Sequence, residues 1–320
     1  MIKKLFKNYN YNKNYTYFIL PYGLGDTMIV ASLKNIIEKI YNIKIHFFIK
    51  KNHEIILKLY NITDYTIVNM PKIKQLAKCK SINKIESGDL FIAHPLFIND
   101  NSIINEFNEG KISFYQLYLK FFNIPDGTKF NSFDDTINFS PELTQGINLK
   151  LLKIKENNLS NVVLLAPEAN SCPLLPNCYW SKIAKEYKNK GYTVISNVTN
   201  RKNSIRYSKY IPLTTEEALY IAQNCAGIIC LRSGFSDLIS IKHKGFCKIL
   251  YPNIDILNLY SIKRSYNIET CDEDIVTILA TKNYIYLFGI KILKYIHLKK
   301  YNSFYLKLAN QNIITSKGDI

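Results

Sequence analysis

The chain has 320 residues, enough for two domains that each bury a core, and its 47% hydrophobic and 21% charged content excludes a disordered or fibrous polypeptide. A formal net charge of +17 suits an anionic partner. Lysine, isoleucine, asparagine and tyrosine are abundant together, however, as in a coding sequence biased toward A and T, and no zinc finger, RNP-type strand or KH-type loop occurs, so nucleic acid is not expected.

From Tyr15 onward, short runs of β-branched and aromatic residues alternate with segments of helical periodicity, the pattern of a parallel sheet with crossover helices. Residues 17–20 read as a buried strand, followed by the turn Gly23-Leu24-Gly25 and a helix over 26–41. A strand at 43–49, a helix from His53, a strand at 65–68, a strand at 90–93 and an amphipathic helix at 113–122 continue the alternation. Between 130 and 160 the composition turns polar around Ser140-Pro141-Glu142, and the domain junction is expected there. The second half repeats the grammar: strand 162–166, loop 167–178, helix 180–190, strand 192–197, helix 214–224, strand 227–231, a loop and helix over 232–243, and strand 247–251. The expected fold is α/β, two Rossmann-like domains facing a cleft, the first over 1–145 and the second over 146–282. Residues 283–320 are expected as a helical tail that packs on the body, with a membrane-surface helix as the competing reading.

Seven cysteines, odd in number, spread out and often set in apolar stretches, read as reduced core residues, and the absence of a C-x-x-C pair argues against a structural metal. The basic N-terminus lacks the apolar core of a signal peptide, and no apolar run is long enough for a membrane span. The resulting expectation is a cytoplasmic protein, with peripheral contact at the inner membrane face left open.

Two strand exits carry the candidate chemistry. In the first half, the glycines of Gly23-Leu24-Gly25-Asp26 let the backbone turn sharply and approach a ligand, while the helix that follows aims its free N–H groups at the same spot. Asp26 has two readings, a helix cap or a general base on an acceptor hydroxyl, and spacing alone favours the cap. In the second half, Arg232-Ser233-Gly234-Phe235-Ser236-Asp237 joins a strand end, a glycine turn and a helix N-terminus into an anion site. Arg232 is read first as a forked clamp for a diphosphate and otherwise as the ion-pair partner of Asp237. Glu168, Asn170 and Ser171 at a third strand end are candidates for donor phosphate or sugar, against the alternative of an ordinary polar loop, and His94 is a candidate lining of the acceptor side.

Gly23-Leu24-Gly25-Asp26 with its apolar helix resembles the amino-terminal signature of glycosyltransferase family 9, the ADP-heptose:lipopolysaccharide heptosyltransferases of the GT-B superfamily. Further likenesses follow in order: the loop 166–171 with Trp180 opening the next helix, the helix start Thr214-Thr215-Glu216-Glu217, and the turn at 232–237. The resemblance spans about 17–252 and implies a metal-independent, inverting transfer of a sugar from a nucleotide-sugar donor, with ADP or GDP favoured as the base, to a bacterial surface-glycan or glycolipid acceptor such as a lipooligosaccharide or capsule chain. It gives Asp26 the part of base and brings that reading level with the cap. No cofactor is implied beyond the co-substrate. The family usually carries Asp-Ser/Thr-Gly-x-x-His where this chain has Arg232 and Asp237 at the two ends, which leaves a degenerate protein that binds nucleotide sugar or glycan without turnover as the alternative.

Overall fold

The structure, a computed structural model, describes residues 2–9, 11–78, 84–86, 88–97, 101–133, 139–169, 172–241, 243–269, 271–276, 278–280, 284–287 and 290–293. In the first lobe, α1 (Ile2–Leu5) precedes β1 (Thr16–Ile19), α2 (Leu24–Tyr41), β2 (Ile45–Ile49), α3 (Glu54–Leu59), β3 (Tyr65–Ile67), α4 (Ile73–Ala77), β4 (Leu90–Ile92), α5 (Ser102–Asn108) and α6 (Phe114–Phe121). Helix α7 (Pro141–Lys153) covers part of the polar stretch in which the sequence puts the junction. The second lobe holds β5 (Val162–Ala166), α8 (Asn177–Asn189), β6 (Thr193–Ser196), β7 (Lys209–Tyr210), α9 (Thr215–Asn224), β8 (Gly227–Leu231), α10 (Gly234–Ile241), β9 (Phe246–Tyr251), α11 (Ile254–Tyr260), α12 (Ile262–Tyr266) and β10 (Cys271–Ile275).

Each lobe is built on its own parallel sheet. The first has the order β3-β2-β1-β4, and the second β10-β9-β8-β5-β6-β7. Counted from its own first strand, the second sheet has the doubly wound order of a Rossmann domain, and the first carries the same order cut to four strands. In both, the strand order reverses beside the lobe's first strand, the place where open α/β sheets take ligands at the carboxyl ends. Helices cover both faces of the second sheet, so every residue of β5 and β8 is buried and the strands read as continuous apolar runs.

Among the described residues, two contacts join the lobes. Helices α2 and α10 meet at their first turns. Helices α11 and α12 reach back onto the first lobe, where the Tyr260 ring lies 5.4 Å from both Phe107 and Phe114 and Arg264 donates to the Gly110 carbonyl at 2.6 Å.

The expected tail helix is not what forms from Tyr284. Backbone pairing instead builds an antiparallel sheet of β11 (Ile278–Ala280), β12 (Tyr284–Leu287) and β13 (Ile290–Leu293). Tyr-Ile-Tyr-Leu and Ile-Lys-Ile-Leu are rich in β-branched and aromatic residues, which favour a pleated strand. The rest of the tail lies outside the described residues. Among the described residues, no helix is long and apolar enough to cross a membrane.

Candidate functional site

The first strand exit places Asp26 in the first turn of α2 rather than at its cap. Gly23 is the N-cap in extended backbone, and its N–H donates to Asp26 Oδ2 at 2.9 Å, so the carboxylate closes the helix start from the third position. Its other oxygen receives Tyr118 Oη of α6 at 2.6 Å and faces His94 Nε2 at 3.3 Å. The His94 Nδ1 accepts the Leu96 N–H at 3.2 Å, which leaves a proton on Nε2, directed at Asp26. Tyr22 stacks on the His94 ring at 3.8 Å and holds it in place. Burial opposes the charge on Asp26, but His94, Tyr118 and the Gly23 N–H together outweigh it and hold the carboxyl below its ordinary value. The result is an ionised carboxylate, 18% exposed, with lone-pair capacity left on Oδ2.

Facing it, the second strand exit turns from β8 into α10. Arg232 Nη2 lies 2.9 Å from Asp237 Oδ1 and Nη1 donates to Asp237 Oδ2 at 3.0 Å, while Nε donates to the Tyr260 carbonyl and Nη1 also to that of Ser233. The two side chains are only 6% and 2% exposed. Of the two readings of Arg232, the structure forms the ion pair, and this corrects the one placed first: the guanidinium is spent inside the turn and is not presented as a free clamp for a diphosphate. Burial pushes the Asp237 carboxyl up to about 6, with Arg232 pulling it back, so the pair is charged at neutral pH. Ser233 and Ser236 tie the turn through reciprocal side-chain and backbone bonds.

The two exits are packed against each other. A Cβ on Gly234 would stand 2.8 Å from Gly25 N and 2.9 Å from Leu24 N, and one on Gly25 would stand 2.3 Å from Asp237 Oδ2. The lobes therefore meet backbone to backbone, at a distance that only glycine allows.

On either side of this contact lies a cavity. One, of about 630 Å³, opens between the strand ends of the two sheets; Gly23, Lys50 and His53 line it from the first lobe, and Glu168, Thr199, Thr215, Ser233 and Gly234 from the second, with Lys150 of α7. The other, of about 570 Å³, is lined by Gly25, Asp26, His94, Phe114 and Leu117 on one side and by Arg232, Asp237, Ile256 and Tyr260 on the other. Tyr22, Gly23, Lys50 and Gly234 border both, so the two form one groove that narrows at the glycines.

Lys50, the residue after β2, donates to the Tyr22 carbonyl at 2.9 Å; burial lowers its pKa, which nearby Asp26 partly offsets. His53 Nδ1 is 2.7 Å from Thr27 Oγ1, whose hydroxyl donates to the Gly23 carbonyl, so Nδ1 carries the proton. Burial first and Lys50 second lower the His53 pKa to about 4, which keeps the ring neutral. Glu168 accepts from Thr199 N and Oγ1 at 2.8 and 2.5 Å and lines the larger cavity. Asn170 and Ser171 lie outside the described residues. Glu217 is held by the Thr214 N–H and by Lys150 at 2.7 Å.

The structure brings Gly23, Leu24, Gly25, Asp26, His94, Glu168, Arg232, Ser233, Gly234 and Asp237 to one groove. Sequence reading missed Tyr118, Lys50, His53 and Lys150. A basic residue directly after the apolar run of β2 was the available signal for Lys50, since a strand's carboxyl end faces the crevice.

No protein-family model matches the chain, and no curated protein does. Among solved structures it is similar to the E. coli ADP-heptose lps heptosyltransferase II, at 12% identity and a TM-score of 0.52 over 83% of this chain and 91% of that one. It is similar also to a glycosyl transferase family 9 protein of Veillonella parvula, at 9% identity and a TM-score of 0.52 over 84% and 88% of the two chains. The chain thus has the two-lobed GT-B fold expected from its sequence.

Proposed function

We propose that this protein transfers a sugar from a nucleotide-sugar donor to a hydroxyl of a glycan acceptor. The observation that carries the reading is the ionised carboxylate of Asp26, held by three donors at the neck of a groove whose other compartment is bordered by lysines and a helix N-terminus. The donor lies in that larger compartment, its diphosphate against the first turn of α10 and beside Lys50, which bears on both compartments. The acceptor enters from the side of His94 and Phe114.

Asp26 Oδ2 takes the proton of the acceptor hydroxyl as that oxygen bonds to the anomeric carbon; the bond from that carbon to the donor phosphate breaks, and its electron pair leaves with the nucleoside diphosphate. Attack opposite the leaving group inverts the anomeric centre. Charge building on the departing diphosphate is met by Lys50 and the N–H groups of Gly234 and Phe235. His94 and Tyr118 act through Asp26: they fix its rotamer and keep it ionised. A donor built on ADP is the first to try, since the E. coli neighbour is named for ADP-heptose.

The test is Asp26→Asn assayed against ADP-, GDP-, UDP- and CMP-sugars. Donor-dependent thermal stabilisation should persist while turnover falls at least about a hundredfold, the usual share of a general base. A wild type that responds to no donor, or a variant with undiminished turnover, refutes the proposal.

A further inference from the structure

Away from the groove, three side chains of metal-ligand type converge at the opposite, amino-terminal ends of the second sheet's strands. Cys247 is the second residue of β9 and Cys271 the first of β10, and the two stand opposite each other in the parallel register. His243, in the connection between α10 and β9, supplies the third corner. The two sulfurs and an imidazole nitrogen all lie within 4.8 Å of one another. Tetrahedral zinc, with Zn–S about 2.3 Å and Zn–N about 2.0 Å, spaces such atoms roughly 3.5–3.8 Å apart, so small side-chain shifts close the set around an ion. Strand pairing, and not local sequence spacing, brings the two cysteines together.

We propose that His243, Cys247 and Cys271 form a binding site for one thiophilic divalent cation of the zinc type, with water in the fourth position. Both cysteines are buried, at 2% and 0% exposure, while His243 is half-buried. Two thiols alone would serve as small apolar core residues; an imidazole brought to the same point supplies a ligand set that an apolar core does not need. Thiolate and imidazole select zinc or cobalt over magnesium or calcium, which prefer oxygen. The site fixes the far end of α10: Cys271 Sγ is already 3.8 Å from the Ser240 carbonyl, and the near end of the same helix carries the Ser233–Asp237 turn of the groove. Metal binding would thus stiffen the element that borders the groove, whatever reaction occurs there.

Cobalt titration of the full-length, untagged, chelator-stripped and reduced protein tests this. Co²⁺ should give the intense visible bands of a tetrahedral thiolate complex at one equivalent per chain, Zn²⁺ should displace it, and Zn²⁺ but not Mg²⁺ should raise the melting temperature. Cys247→Ala and Cys271→Ala should abolish the bands. His243→Ala, at a half-buried position that leaves the core intact, should weaken cobalt binding at least about tenfold and so carries the test if a cysteine variant fails to fold. Folded wild type that gives no thiolate bands at stoichiometric cobalt, or bands that survive in the His243 variant with unchanged affinity, would overturn the site.

Discussion

Removing the carboxylate of Asp237 strands a guanidinium in the interior. With the two side chains 6% and 2% exposed, Arg232 would keep, among the described residues, the Tyr260 and Ser233 carbonyls, the Ser236 hydroxyl and the face of the Tyr260 ring, and would lose its ion-pair partner. Breaking such a buried pair costs about 3–5 kcal/mol, whereas replacing both members by apolar residues of similar volume is close to neutral. Asp237→Ala should therefore lower stability by that amount, and the double variant Arg232→Met with Asp237→Leu should recover most of it. Urea unfolding followed by the fluorescence of Trp180, the chain's single tryptophan, buried in the second lobe, reads the difference directly. A cost below about 1 kcal/mol for Asp237→Ala would mean that water reaches the pair, and losses that simply add in the double variant would mean that the two residues do not act together.

Three further outcomes follow from the same geometry. His53 has a folded pKa near 4 against an ordinary 6.5, so the unfolded chain binds its proton more readily; about 3 kcal/mol of stability, present above pH 6.5, should be lost as the pH falls toward 4, and His53→Gln should flatten that loss in urea melts taken across the window. Tyr118→Phe removes the 2.6 Å donor to Asp26 and should move the acidic limb of the kcat/KM profile upward by roughly half to one pH unit, because the carboxylate loses one of the groups that favour its charge; an unmoved limb would show that Asp26 does not govern it. Gly234→Ala places a methyl group 2.8 Å from Gly25 N and should cost about 1–3 kcal/mol through overpacking, measured by thermal unfolding, while an Ala at exposed Gly127, where nothing lies within 4 Å, should change little.

Much of the frame was legible because parallel strands are buried on both faces. Residues 162–166 and 227–231 read as strands with the bounds that β5 and β8 have, since each is one unbroken apolar run. Helix starts were less legible: α2 begins at Leu24, since Gly23 acts as the cap and Asp26 closes the turn from inside. Helix α7 escaped notice although Ser140 at its cap and Pro141 at its start are a recognised opening, because only Ile147 and Leu151 of its face are buried and its apolar stripe is thin. The groove's chemistry was half visible. Asp26 and the glycines announce themselves locally, whereas Tyr118 reaches Asp26 across 92 residues, and no local pattern encodes such a meeting. Arg232 was read from its position at a strand end, but its neighbour five residues on competes for the fork at closer range than any ligand, and the sequence does not say which partner wins.

The contact between Gly25 and Gly234 limits how this molecule can move. With no side chain between the two backbones, the lobes cannot be pressed nearer at that point. A side chain at either glycine would act as a wedge, parting the first turns of α2 and α10 and with them the walls of the groove.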